Sequence, residues 1–413
     1  MNWNTLIFLA VTLVSVYQLM LYAVQYRSAN NPTPDNVKDV YDAETYARWK
    51  KYSAEKSRLQ IFNTLLSWGL TMLLLALKAH AAVAGLFPAN AYVQLIAVLV
   101  FQALVETLVG TVTAYADTMV IEQKYGFNRS TMKTFVMDCV RNFLMETVIS
   151  VVLMSVLAAL HMALGDWMIL LFAGVVFVIS LLISFLYPIL SRMGNKFTPL
   201  EEGELRDKLT ALLTSHGYKV KAIEVMDASR RTTKSNAYFT GFGAMKTIVL
   251  FDNLIASMTS DEICAVFAHE LGHGLHKDVP KMQIMNLGNM LIMALMAWLV
   301  VKEPALHRAF GFAEINYGFA YILLGCAALA LTQPVTSILM GAYSRFAEYR
   351  ADRQAVKEGY GQALTSALKK LARDNFSHLS PSRLQVVLDY SHPPLSQRVA
   401  AVEKAMRDNA CNP

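Results

Sequence analysis

The chain has 413 residues, of which 55% are hydrophobic and only 16% charged, and its mean hydropathy is +0.36. So little charge cannot cover the surface of a water-soluble chain of this length, which excludes a cytosolic globular enzyme, a disordered protein and a secreted disulfide scaffold. The formal net charge of +6 would suit a nucleic-acid partner if the basic residues formed a patch, but they flank apolar segments, which points to membrane topology and no nucleic acid. Cys139, Cys264, Cys326 and Cys411 form no CxxC pair and read as buried or reduced thiols.

A helix needs about 20 apolar residues to cross about 30 Å of hydrocarbon. Seven segments qualify, near 3–25, 61–87, 92–116, 142–165, 167–189, 283–301 and 316–341. The first opens Met1-Asn2-Trp3-Asn4, with no basic n-region and no small-x-small cleavage site after it, so a retained span is expected instead of a signal peptide. Residues 26–60 carry seven Lys or Arg and 117–141 four, whereas the opposite side has only Lys302 and Arg308. Basic residues stay in the cytoplasm, so the N-terminus is expected outside and the stretches 190–282 and 342–413 inside. Several spans carry polar stripes at helical spacing: Asn63, Ser67, Thr71 and Lys78 in the second, Gln102 and Glu106 in the third, Gln283, Asn286 and Asn289 in the sixth. Such stripes face either a partner helix or a hydrated interior, and the sequence leaves both open. Pro334 is expected to kink the seventh span.

The most informative stretch begins at Thr259. Thr259 and Glu262 have capping-box spacing, which starts a helix, and inside it lie His269, Glu270 and His273. Two histidines four apart share one helical face, so both imidazoles can reach one ion with Glu270 beside it, the zincin arrangement. A catalytic zinc takes three protein ligands and leaves a position for water. Glu348, in SRFAEYRADRQA, is the candidate third ligand, with His276 as a competitor. Asp352 lies one turn beyond Glu348 and is expected to accept the free ring N–H of His269, orienting it. Glu270 then acts as the general base and acid of peptide hydrolysis.

With these residues placed, the chain resembles the integral-membrane zinc endopeptidases of the CAAX prenyl protease 1 family, of the gluzincin type. The resemblance runs through IEQKYGFNRST at 121–131, LYPILSRMGNKFTPLEEGELRDKL at 186–209, SNAYFTGFG at 235–243, HELGH at 269–273, EYRAD at 348–352 and SHPPLSQRVA at 391–400. It implies a seven-helix shell around a water-filled chamber, closed by a cytoplasmic metalloprotease domain with one catalytic zinc. It also implies that His269, His273 and Glu348 bind zinc, that Glu270 is catalytic, and that His392 points into the active site with Arg398 bracing it. These last two are the candidates for stabilising the oxyanion. Asn236 and Ala237 would line the cleft edge and bind an extended substrate by strand addition.

The fold expected is an all-α polytopic membrane protein with seven transmembrane helices and a small, mostly helical α+β cytoplasmic zincin domain split by the last two spans. Its parts are a five-helix membrane region (1–189), a first protease part with the HExxH helix (190–282), a transmembrane hairpin (283–341) and a second protease part (342–413). The substrate would be a peptide or protein, with a prenylated C-terminus as the family name suggests, in a bacterial inner membrane or the endoplasmic reticulum. The chain's own Cys411-Asn412-Pro413 puts cysteine third from last and is no CaaX acceptor. A quality-control protease with the same chemistry and a membrane transporter are the rival readings; the transporter predicts no bound zinc.

Overall fold

The computed structural model describes residues 2–411 except 191, 193, 194, 235 and 241–244. The membrane part begins with α1 (Trp3–Ser28), whose first turn is capped by the Asn2 side chain, followed by α2 (Ala43–Ala76), capped by Asp42. Next come α3 (Ala91–Tyr115), which continues as a π-helix over Ala116–Glu122, α4 (Met132–Leu164) and α5 (Met168–Leu190). Later in the chain α6 (Ser260–Leu275) is followed by α7 (Asp278–Lys302) and, after a connection, by α8 (Ala330–Lys357).

Among the described residues, five helical stretches are long and apolar enough to cross a membrane: Trp3–Ser28, Ala43–Ala76, Ala91–Glu122, Met132–Trp167 and Asp278–Lys302. A sixth is the bent pair Tyr317–Ala327 and Leu331–Lys357, which meet at 56° if taken as one span. The bend lies about one turn before Pro334, where a helix loses the hydrogen bond that proline cannot donate. Exposed apolar pairs such as Leu108 and Val112, Val148 and Val152, and Leu291 and Leu295 recur four residues apart on three of these helices, the pattern of a lipid-facing surface. The protein is a mostly helical, multi-pass membrane protein with one small sheet.

One sequence boundary moves. The second apolar segment is not one helix to residue 87: α2 ends at Ala76, Lys78 adopts a left-handed φ of 52°, and a short helix follows over Ala79–Ala84. Lys78 therefore leaves the stripe of Asn63, Ser67 and Thr71 and packs on Gly311, in the connection after Lys302. It joins Lys302 and Arg308 at that end of the bundle. The stripe in α3 faces space: Gln102 and Glu106 line two adjoining cavities of about 380 Å³ and 310 Å³. There His80 Nε2 lies 2.8 Å from Gln102 Oε1, and Gln102 Nε2 donates to Glu106 at 2.7 Å.

The sheet has four strands: β1 (Phe197–Pro199), β2 (Lys219–Met226), β3 (Ala237–Thr240) and β4 (Met245–Phe251), in the order β1-β2-β4-β3. β2 and β4 are parallel, the outer pairs antiparallel, so β3 is an edge strand. Ile248 and Leu250 of β4 pack with Leu254 against Ile263, Phe267 and Leu271 of α6, and Ala355, Leu364 and Val402 close the same core from the C-terminal segment. The connection between the first two membrane helices is bound in as well. Trp49 donates its indole N–H to Phe376 O at 3.0 Å, Tyr41 donates to Ala372 O and Ser377 O, and Tyr52, Tyr125, Phe127 and Phe376 pack edge to face.

Two details place α6. Its N-terminus carries the full capping box, with Thr259 Oγ1 accepting from Glu262 N and Glu262 Oε2 accepting from Thr259 N at 2.8 Å. Its C-terminal half presses on α8: a Cβ at Gly272 would meet Ala351 Cα at 2.8 Å. Burial pushes the Glu262 carboxyl up, but Lys370, Ser366 and the Thr259 amide outweigh it and hold the group below its ordinary value. Thr259→Ala should cost about 1 kcal/mol of stability. Because the folded pKa is depressed, the advantage of wild type over Glu262→Gln should be present above an unfolded pKa of about 4.3 and vanish as pH falls through the folded value, read as melting midpoints across pH. Gly272→Ala should force α6 and α8 apart and lower the midpoint more than either variant.

Candidate metal centre

The i,i+4 spacing on α6 sets His269 and His273 one turn apart, and the same spacing on α8 sets Glu348 and Asp352 opposite them. Glu348, Asp352 and His269 are buried. The two Nε2 atoms are 3.3 Å apart, His273 Nε2 lies 3.4 Å from Glu348 Oε1, and His269 Nε2 lies 3.5 Å from Glu348 Oε2. His269, His273 and Glu348 are the group whose ligand atoms converge among the described residues; His276 is the C-cap residue of α6 and stands outside it. The reason is the chain reversal at Lys277, whose φ of 55° ends α6 before a third imidazole can turn inward.

The tautomers follow from the partners. His269 Nδ1 lies 2.9 Å from Asp352 Oδ1, and His273 Nδ1 lies 3.0 Å from Asp278 Oδ2. Carboxylates only accept, so both Nδ1 atoms carry the proton and both Nε2 atoms present lone pairs. With both imidazoles neutral, two lone pairs and a carboxylate thus converge, and Glu348 Oε2, though close to the Arg398 guanidinium, is buried without a hydrogen bond. Such a cluster needs a cation. The edge of a tetrahedron built on bonds of about 2.0–2.2 Å is about 3.3–3.6 Å, so the donor spacing and the N,N,O donor set both fit zinc. Burial lowers the pKa of His273, but Glu348 and Asp278 outweigh it and lift it to about 9.

Around the ligands, Arg398 donates from Nε and Nη2 to Asp352 at 2.9 and 2.6 Å, and its Nη1 lies 3.1 Å from Glu348 Oε2. His392, largely exposed, puts Nε2 3.3 Å from Glu348 Oε1 while Nδ1 lies 2.8 Å from Ser391 Oγ. Glu270, His269 and Glu348 open onto a cavity of about 540 Å³ that Asn236, Ala237 and His392 also line. Register alternation decides what β3 offers there. Phe251 N donates to Asn236 O, and Tyr238 pairs with Val249, so the main-chain groups of Ala237 point away from the sheet, towards its free edge.

His269, Glu270, His273, Glu348, Asp352, His392, Arg398, Asn236 and Ala237 therefore gather at this one site, and His276 does not. Asp278, Tyr343 and Arg350 were missed. Asp278, five residues beyond His273, accepts from Tyr343 Oη at 2.9 Å and from Arg350 as well as from His273. The only sequence signal was an acid following HELGH at a spacing no helix would bring back.

Residues 199–406 match peptidase family M48, and residues 4–192 match the CAAX prenyl protease N-terminal region, described as five membrane helices. The chain is 30% identical to CAAX prenyl protease 1 of Saccharomyces cerevisiae, over 93% of this chain and 91% of that one. It is 29% identical to a CAAX prenyl protease 1 homolog of Oryza sativa subsp. japonica, over 95% of each. The crystal structure of S. mikatae Ste24p superposes with a TM-score of 0.91 at 26% identity, covering 98% of this chain and 99% of that one. The chain thus belongs to peptidase family M48, as a multi-pass membrane metalloprotease of the CAAX prenyl protease kind.

Proposed function

We propose that the chain is a zinc endopeptidase of the gluzincin type, with one ion held by His269, His273 and Glu348. The observation that carries this reading is the convergence of three acceptor atoms, two imidazole and one carboxylate, beside a cavity that Glu270 lines. Zinc bound there supplies a Lewis acid that polarises the scissile carbonyl and brings the pKa of a water towards about 7. Glu270, half-buried and with no ion pair to another described residue, takes the proton of that water and delivers it to the leaving amine. His392 donates to the oxyanion. Arg398, committed to Asp352 and Glu348, acts as a positioning residue behind the ligands instead of at the reacting carbonyl. The outward C=O of Ala237, and its N–H once released from Asn236 Oδ1, to which it donates at 2.9 Å, hold the substrate as an added strand.

The membrane reading that accompanies this has seven spans. Its support is that α5 rises about 34 Å over its 23 residues and lies within the region matched as five membrane helices. The parts 1–189, 190–282, 283–341 and 342–413 remain the working division, with the borders at 282/283 and 341/342 falling inside α7 and α8. Counting Lys78 with Lys302 and Arg308 leaves eleven cytoplasmic basic residues against three, which supports an outside N-terminus and a cytoplasmic site. The substrate proposed is a CaaX protein with a prenylated C-terminus. A wider quality-control role has one observation in its favour. Among the described residues lining the cavity, Arg398 is the only Lys or Arg, and it is already paired, so no free guanidinium or ammonium awaits a terminal carboxylate.

Glu270→Ala should keep a full equivalent of zinc and lose turnover, whereas His269→Ala should lose both; wild-type cleavage by Glu270→Ala would sink the mechanism. His392→Ala should keep zinc and lose about 10²–10³ in kcat. Cleavage rates of a farnesylated CaaX peptide, its unprenylated twin and an unfolded membrane protein decide between the two substrates: comparable rates on all three would reject the prenyl requirement.

A further inference from the structure

Each of the two imidazoles in the centre is backed by its own carboxylate, and each carboxylate by its own guanidinium. Behind His269 stand Asp352 and Arg398. Behind His273 stand Asp278 and Arg350, with Tyr343 Oη 2.9 Å from the same Asp278 oxygen that Arg350 reaches. Asp278 is 3% exposed, so its charge is acceptable only because all three partners are present. The two sets differ in where they are rooted. Asp352 belongs to the same helix as Glu348, but Asp278 is the first residue of α7, a helix that crosses the membrane, and it reaches His273 because Lys277 turns the chain at φ 55°. Tyr343 and Arg350 sit on α8, on either side of Glu348.

We propose that Asp278 is a positioning residue of the metal centre: it fixes His273 in the tautomer that presents Nε2 and, clamped by Tyr343 and Arg350, ties that ligand to the junction of α7 with α8. The proposal rests on the zinc reading above. A carboxylate behind a ligating imidazole raises its basicity and removes its rotational freedom, and losing one typically costs 10–100-fold in metal affinity or activity. Parting α7 from α8 at this point would free His273 while leaving His269 and Glu348 held by Arg398 and Asp352.

The test uses the full-length protein in detergent, reconstituted with one equivalent of zinc, and follows zinc transfer to a chromophoric chelator together with the melting midpoint of the zinc-stripped protein. Asp278→Ala should release zinc about 10–100-fold faster than wild type. Asp278→Asn, which keeps an acceptor for the Nδ1 proton but not the charge, should fall between, and Tyr343→Phe should speed release severalfold. In each case the stripped protein should melt within a degree or two of wild type. Release at the wild-type rate from both Asp278→Ala and Tyr343→Phe would overturn the proposal. So would faster release confined to Asp278→Ala and matched by an equal loss of stability in its stripped form, since that is what a merely structural residue would give. Failure of wild type to retain zinc would instead strike the zinc reading itself.

Discussion

The site depends on one backbone contact. At Gly272 the helix that carries both histidines touches Ala351 so closely that even a methyl group would collide with the Cα opposite. That approach is what sets imidazoles from one helix about 3.4 Å from a carboxylate on the other. Move the helices apart by the width of a side chain and the three donor atoms no longer share a centre. The glycine between the two histidines of HELGH is thus a packing requirement as much as a part of the motif.

The electrostatics around that contact are unbalanced by design of the fold. Glu348, Asp352 and Asp278 are buried carboxylates, while Arg398 and Arg350 supply two positive charges against their three. Buried charges of one sign left unmatched cost several kcal/mol each. A proton on His273 can fill the deficit, which is why that imidazole holds its proton so tightly. A divalent cation fills it better, because it also satisfies the lone pairs on both Nε2 atoms.

What sequence could and could not reveal divides along physical lines. His269, Glu270 and His273, and Glu348 with Asp352, were legible because each set lies within one helix, where a spacing of four fixes a shared face. Asp278 was not, because its reach depends on a lysine in left-handed backbone, and no residue type announces that. The same is true of Lys78, where a helix breaks inside an apolar run. The polar start of the second helix also escaped apolar periodicity, since residues 43–60 are held by the Trp49 hydrogen bond to Phe376 O and by packing of Tyr52 on the Phe376 ring, more than 300 positions away. Pairing of β3 at the sheet edge, and with it the outward turn of Ala237, likewise follows only once the strand order is known.

The last long span does not stop at the membrane surface. From Pro334 to Glu348 the polypeptide is one unbroken helix, a rise of about 21 Å, with no loop to flex between the bilayer-embedded end and the acid that completes the metal centre. The helix therefore works as a rigid strut: a tilt or shift of the span is carried undamped to Glu348, and with it to the donor spacing around that carboxylate.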